Sequence, residues 1–166
     1  MDLHRAPVQS LPATLMLFYP LLNSWYRLTN LWTGEALSLD VVNDNGQNSS
    51  GTLQMAATGY YSGQYWRFQP FPAGATTTYA LSTRFLGEGM RLDVYGNDKT
   101  TPRLALAGQY SGQVWTITSW GDGTYMLTNK FSGSDLHLDV YSNTQRPFLG
   151  DGDGIGQHWV IAPFVD

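Results

Sequence analysis

Three times in this chain a Leu-Asp-Val triplet is followed by a Gln-x-Trp. The triplets are Leu39-Asp40-Val41, Leu92-Asp93-Val94 and Leu138-Asp139-Val140. The closing motifs are Gln64-Tyr65-Trp66, Gln113-Val114-Trp115 and Gln157-His158-Trp159. A Tyr-x-Leu segment precedes each Asp by 14 residues, beginning at Tyr26, Tyr79 and Tyr125. Successive motif Asp residues lie 53 and 46 positions apart. Such a period marks a fold assembled from copies of one supersecondary unit, each too small to bury its own apolar face. The length of 166 residues fits one domain with a proper core rather than two.

Each copy reads as about four short strands. In the first, from about residue 24 to 72, apolar alternation marks strands at Trp25 to Thr29 and Leu37 to Val41. Leu53 to Met55 and Gln64 to Phe68 complete the unit, and Thr33-Gly34 is a turn. The second copy spans about 78–121 and the third about 124–164, with Gly87 and Gly133 at the same turn. The Asp-to-Gln spacing shortens from 24 to 20 to 18, so the copies differ mainly in the loop between motifs. A propeller also uses four-strand units, but three blades fall below its usual number. The expected fold is therefore all-β: a β-trefoil of three four-strand repeats with pseudo-threefold symmetry, its alternating Leu and Val and its three Trp filling a shared core.

Composition narrows the function classes. Charged residues are only 13%, the net charge is -4, and no Lys/Arg cluster occurs. Nucleic-acid phosphates and anionic lipid therefore find no electrostatic footing. No uninterrupted run of 18 apolar residues is present, so no membrane insertion is expected. The absence of Cys excludes disulfides, thiolate metal sites and a thiol nucleophile. It fits a reducing compartment, and the expected localisation is cytoplasmic, with secretion as the other reading. Residues 1–23 stand outside the repeats. Leu11 to Leu22 is apolar but interrupted by Pro12 and Pro20, and no small-x-small cleavage site follows. This segment reads as an N-terminal arm packed on the domain or on a second subunit, and it is the candidate contact for a homodimer.

Catalysis has little to rest on. His4, His137 and His158 are the only imidazoles, and no Ser-His-Asp or paired-carboxylate arrangement is legible from spacing. Asp151-Gly152-Asp153-Gly154 supplies alternating carboxylates but lacks the downstream acid of a full calcium loop, and reads as a tight turn. No enzyme activity, metal or cofactor is expected.

Three Leu-Asp-Val strands, each closed by Gln-x-Trp, resemble the ricin B-chain-like, or R-type, lectin family. The resemblance covers residues 24–164, and the lack of Cys is more similar to its cytoplasmic fungal members. It implies a β-trefoil whose repeats each offer one shallow sugar pocket, with galactose or N-acetylgalactosamine as the usual ligand and glycans or glycoproteins as partners. It also implies that Asp40, Asp93 and Asp139 accept hydrogen bonds from sugar hydroxyls. Such charge-assisted bonds are worth roughly 1.5–3 kcal/mol each where water is partly excluded. By the same resemblance Gln64, Gln113 and Gln157 lie close to the ligand. Asn43, Asn97 and Asn143 on the following loops and the rings of Tyr61 and Tyr110 complete the candidate sugar-binding set. Two features depart from the family pattern. The residue before each Gln, often Asn in sugar-binding repeats, is Gly63, Gly112 or Gly156. The third-strand position often held by a stacking Trp falls near Ala56, Ala105 and Gly150. These departures favour an alternative function, a trefoil that binds protein through its loops as a protease inhibitor or scaffold.

Overall fold

The computed structural model describes residues 18–43 and 51–164. Twelve strands are found among them. The first repeat holds β1 (Tyr26–Asn30), β2 (Leu37–Val41), β3 (Leu53–Ala57) and β4 (Trp66–Pro70). The second holds β5 (Thr78–Thr83), β6 (Met90–Val94), β7 (Pro102–Leu106) and β8 (Trp115–Ser119). The third holds β9 (Tyr125–Asn129), β10 (His137–Val140), β11 (Pro147–Gly150) and β12 (Trp159–Pro163). The first and fourth strands of each repeat close into a six-stranded barrel in the order β1-β12-β9-β8-β5-β4. The second and third strands form three separate hairpins, β2-β3, β6-β7 and β10-β11. This is the β-trefoil that the repeats imply.

The pattern placed β2 correctly and erred at other boundaries. The fourth strand begins at the Trp, two residues later than expected, because Ser62–Gln64, Ser111–Gln113 and Ile155–Gln157 form single turns of 3-10 helix. The Gln N–H of each turn donates to the carbonyl three residues earlier, on Tyr61, Tyr110 or Gly154. This tightening aims the Gln side chain inward instead of along a strand.

The core is built in layers of three. Leu28, Leu81 and Leu127 come from the first strands, and Leu39, Leu92 and Leu138 from the motif strands, all with no exposure. Trp66, Trp115 and Trp159 are equally buried, and each indole N–H donates to the carbonyl of its own motif Leu at 2.9–3.0 Å. A buried indole needs such an acceptor. The two sequence motifs of each repeat are thus tied together across the core.

Of the arm, residues 1–17 lie outside the described residues, as does the part of the first polar loop at 44–50. Phe18 packs against the core. Its ring meets Tyr26, Tyr79 and Tyr125 edge-on at 5.3–6.4 Å, one Tyr from each repeat. The phenol of Tyr26 accepts the Leu21 N–H at 2.7 Å, which anchors the entry of the chain into β1.

Candidate functional site

The repeated motif Asp residues stand on the outer face of their hairpins, because side chains alternate along a strand and the flanking Leu and Val point into the core. Each carboxylate is held in the same way. Oδ1 accepts the N–H of the next residue, Val41, Val94 or Val140, at 2.7–2.8 Å. Oδ2 accepts from the Gln of the same repeat at 3.0 Å. Each carboxylate oxygen keeps a further lone pair, since a carboxylate offers about four acceptor positions.

Gln64, Gln113 and Gln157 are buried behind their Asp partners. Gln64 Nε2 also donates to the Ala57 carbonyl, and its Oε1 accepts from the Gly59 N–H and the Arg27 guanidinium. Every position of that amide is in use. Gln113 repeats the pattern with the Leu106 carbonyl and the Gly108 N–H. Gln157 donates to the Asp151 carbonyl, while its Oε1 faces His137 Nδ1 at 2.7 Å. The role of each Gln in this arrangement is to fix the carboxylate and the loop beside it.

The glycine before each Gln has a steric cause. A Cβ built on Gly63, Gly112 or Gly156 would run into Oδ1 of Asp40, Asp93 or Asp139. Only glycine lets the 3-10 turn close over the carboxylate this tightly. Asp40 and Asp93 are accordingly 8% and 9% exposed, and Asp139 is somewhat more open. Burial raises the Asp40 carboxyl above its ordinary value of 3.8, against the opposing hydrogen bonds from Gln64 and Val41.

An aromatic residue reaches each site from an unexpected source. The turn after the first strand of each repeat docks on the Gln-x-Trp of the preceding repeat in space. The N–H groups of Arg84, Lys130 and Leu31 donate to the carbonyls of Tyr65, Val114 and His158 at 3.0–3.1 Å. This brings Phe85 to the first site, where its N–H donates to the Ser62 carbonyl at 3.1 Å. It places Phe131 on the wall of the second site and Trp32 against Gly156 of the third. Gly34, Gly87 and Gly133 close these turns at φ of 70°, 76° and 92°, a region that other residues enter only with strain. Asn30 Oδ1 stiffens the first turn by accepting the Trp32 and Thr33 N–H groups. The signal in sequence was an aromatic at the same offset in every copy, but its pocket belongs to another repeat.

The wall opposite each Asp also differs. Cross-strand register pairs Asp40 with Gln54, Asp93 with Arg103 and Asp139 with Phe148. Phe148 stacks on Tyr141 at 3.9 Å, which gives the third site a ring two residues before Gly150. Arg103 lies over the Tyr95 ring at 4.3 Å. Tyr61 and Tyr110 are both 61% exposed beside their turns, and Asn43, Asn97 and Asn143 are exposed on the loops after β2, β6 and β10.

The second site is a pocket of about 620 Å³, lined among others by Asp93, Arg103, Tyr110, Gly112 and Phe131. It combines an acceptor, a cation and two rings. No cluster of three or more His, Asp or Glu suited to a metal occurs among the described residues. The arrangement can accept hydrogen bonds from hydroxyls and cover an apolar face.

Solved structures with the same fold include a designed threefold-symmetric protein, ThreeFoil, at 24% identity and a TM-score of 0.67 over 83% of this chain and 97% of that one. The β-trefoil lectin of the Vibrio vulnificus hemolysin/cytolysin, solved with N-acetyl-D-lactosamine bound, is 17% identical, with a TM-score of 0.61 over 86% and 97% of the two chains. The Polyporus squamosus lectin, solved with Neu5Acα2-6Galβ1-4GlcNAc, is 16% identical at a TM-score of 0.67. That match covers 86% of this chain and half of the Polyporus lectin. No curated protein matches the chain by sequence. The sequence profile of the ricin-type beta-trefoil lectin domain-like family matches residues 62–158, more than half of the chain. With the trefoil and all three Asp–Gln pairs in place, the chain belongs to that ricin-type β-trefoil lectin-like family.

Proposed function

We propose that this chain binds carbohydrate without catalysing its breakdown, at shallow sites beside Asp40, Asp93 and Asp139, and that galactose- or N-acetylgalactosamine-type sugars are its ligands. The observation that carries this reading is the second pocket, where the fixed Asp93 carboxylate shares a cavity of about 620 Å³ with Tyr110 and Phe131. A sugar has adjacent hydroxyls on its ring and an apolar C–H face. A carboxylate held by Gln113 and Val94 accepts from the hydroxyls, and a ring covers the C–H face. Family membership and the sugar complexes of the Vibrio and Polyporus relatives support the same class of ligand. Three such sites on one chain engage a glycosylated surface by multivalency, so each alone can be weak.

A glycan array and titration calorimetry test the proposal. Wild-type protein is expected to bind terminal galactosides, and Asp93→Ala to weaken binding by about tenfold or more, in line with the loss of a charge-assisted hydrogen bond. Unchanged binding in Asp40→Ala/Asp93→Ala would remove the site assignment. The protein-binding alternative draws on Tyr60 and Tyr61, which stand 84% and 61% exposed at the first repeat. Binding to a glycoprotein that survives enzymatic deglycosylation would favour it.

A further inference from the structure

Arg103 is placed directly across from Asp93 in the β6-β7 register. Opposite charges at such a position ordinarily pair. Here they do not: among the described residues the ion pair between permanently charged groups is Arg67–Glu88, and Asp122 meets the imidazole of His158. Asp93 turns to Gln113 and to the N–H of Val94. The Arg103 guanidinium lies over Tyr95, its Nε is buried without an acceptor, and no hydrogen bond holds it among the described residues. Yet Arg103 lines the second pocket. A guanidinium with free donors on the wall of a cavity is a site for a planar or tetrahedral oxyanion. A second cation stands nearby, since Lys99 Nζ lies 5.1 Å from the centre of the Phe131 ring. The other repeats carry Gln54 and Phe148 at this register, so neither presents a cation there.

We infer that the second-repeat pocket selects acidic saccharides, with Arg103 receiving a sugar carboxylate or sulfate while Asp93 takes hydroxyls at the other side of the ring. This rests on the carbohydrate reading above and adds a charge preference confined to one of the three sites. The two oxyanion sources share one chemistry, and the ligand series separates them.

The test compares matched saccharides on the full chain: a neutral galactoside, its O-sulfated form, and its sialylated or uronic form, by calorimetry at about 50 and 300 mM salt. Wild type is expected to bind at least one anionic member about tenfold or more tightly than the neutral parent, and to lose much of that margin at high salt. Arg103→Gln, which copies the first repeat, is expected to abolish the margin between anionic and neutral members together with its salt dependence. Arg103→Lys is expected to restore part of it, because a point charge lacks the bidentate fork. Equal affinity for neutral and anionic members in wild type overturns the inference, as does an anionic margin that Arg103→Gln leaves unchanged. If no saccharide binds, neutral or charged, the carbohydrate reading falls with it. If the neutral member binds and the charged ones bind no better, only the charge preference falls.

Discussion

The first and second repeats carry the same inner half and different outer halves. In both, a fully buried Trp indole ties the Gln-x-Trp to the motif Leu carbonyl, a Gln holds the motif Asp, and a glycine closes over the carboxylate. Around this shared centre the two diverge. The first repeat sets Arg27 on Gln64 and Ser38, and faces Asp40 with Gln54. The second sends Arg91 to the Gly108 carbonyl and over the Phe71 ring, and faces Asp93 with Arg103 on Tyr95. The difference shows where each part is constrained. The inner half is locked by close packing, where a change of one methylene is felt. The outer half borders solvent, so its side chains can differ without disturbing the core.

Substitutions in the core should have the largest effect. Trp66→Ala and Trp115→Ala should each cost about 3–5 kcal/mol, from the cavity and the orphaned Leu carbonyl. The two losses should be similar, as read by denaturant unfolding. A large loss in one repeat and almost none in the other would break the equivalence of the inner halves. A smaller loss is expected from Gly63→Ala and Gly112→Ala. The added Cβ meets the Asp carboxylate, and such overpacking costs about 1–3 kcal/mol. Gly112→Ala should also abolish ligand binding at the second pocket, because the displaced Asp93 leaves its Gln113 hold. A folded Gly112→Ala with intact binding would show that the carboxylate is not fixed in the way described.

The smallest effect concerns the pH response of Asp40. Burial raises its folded-state pKa above 3.8, so the folded chain holds a proton there that the unfolded chain has released. The associated stability is present below the unfolded value and is lost as pH rises through the raised folded value. In that window just above pH 3.8 Asp40→Asn should flatten the slope of stability against pH, measured by unfolding at a series of pH values. The hydroxyl binding proposed for the first site should run the other way and weaken as the carboxylate is protonated on acidification. A side-chain carboxyl signal for Asp40 that titrates at or below 3.8 would contradict the role of burial.

Much of this molecule was legible in the chain of residues. The three Leu-Asp-Val and Gln-x-Trp motifs, their order and the spacing between them determined a threefold all-β fold, because repeated apolar positions can be satisfied together only in a shared core. They also singled out Asp40, Asp93 and Asp139, since a carboxylate between two core residues must face outward. The glycines before each Gln read as a departure from sugar-binding repeats. Only the folded backbone shows that Gly63, Gly112 and Gly156 make room for the Asp oxygen. Phe85, Phe131 and Trp32 could not be assigned to their sites from sequence, because each residue sits beside the Gln-x-Trp turn of another repeat. The freedom of Arg103 was equally hidden: sequence places a cation on the third strand of its repeat, and only tertiary packing decides whether an acid neutralises it. Local periodicity fixes which way a side chain points. What it meets there depends on segments distant in the chain, and these come together only when the barrel closes.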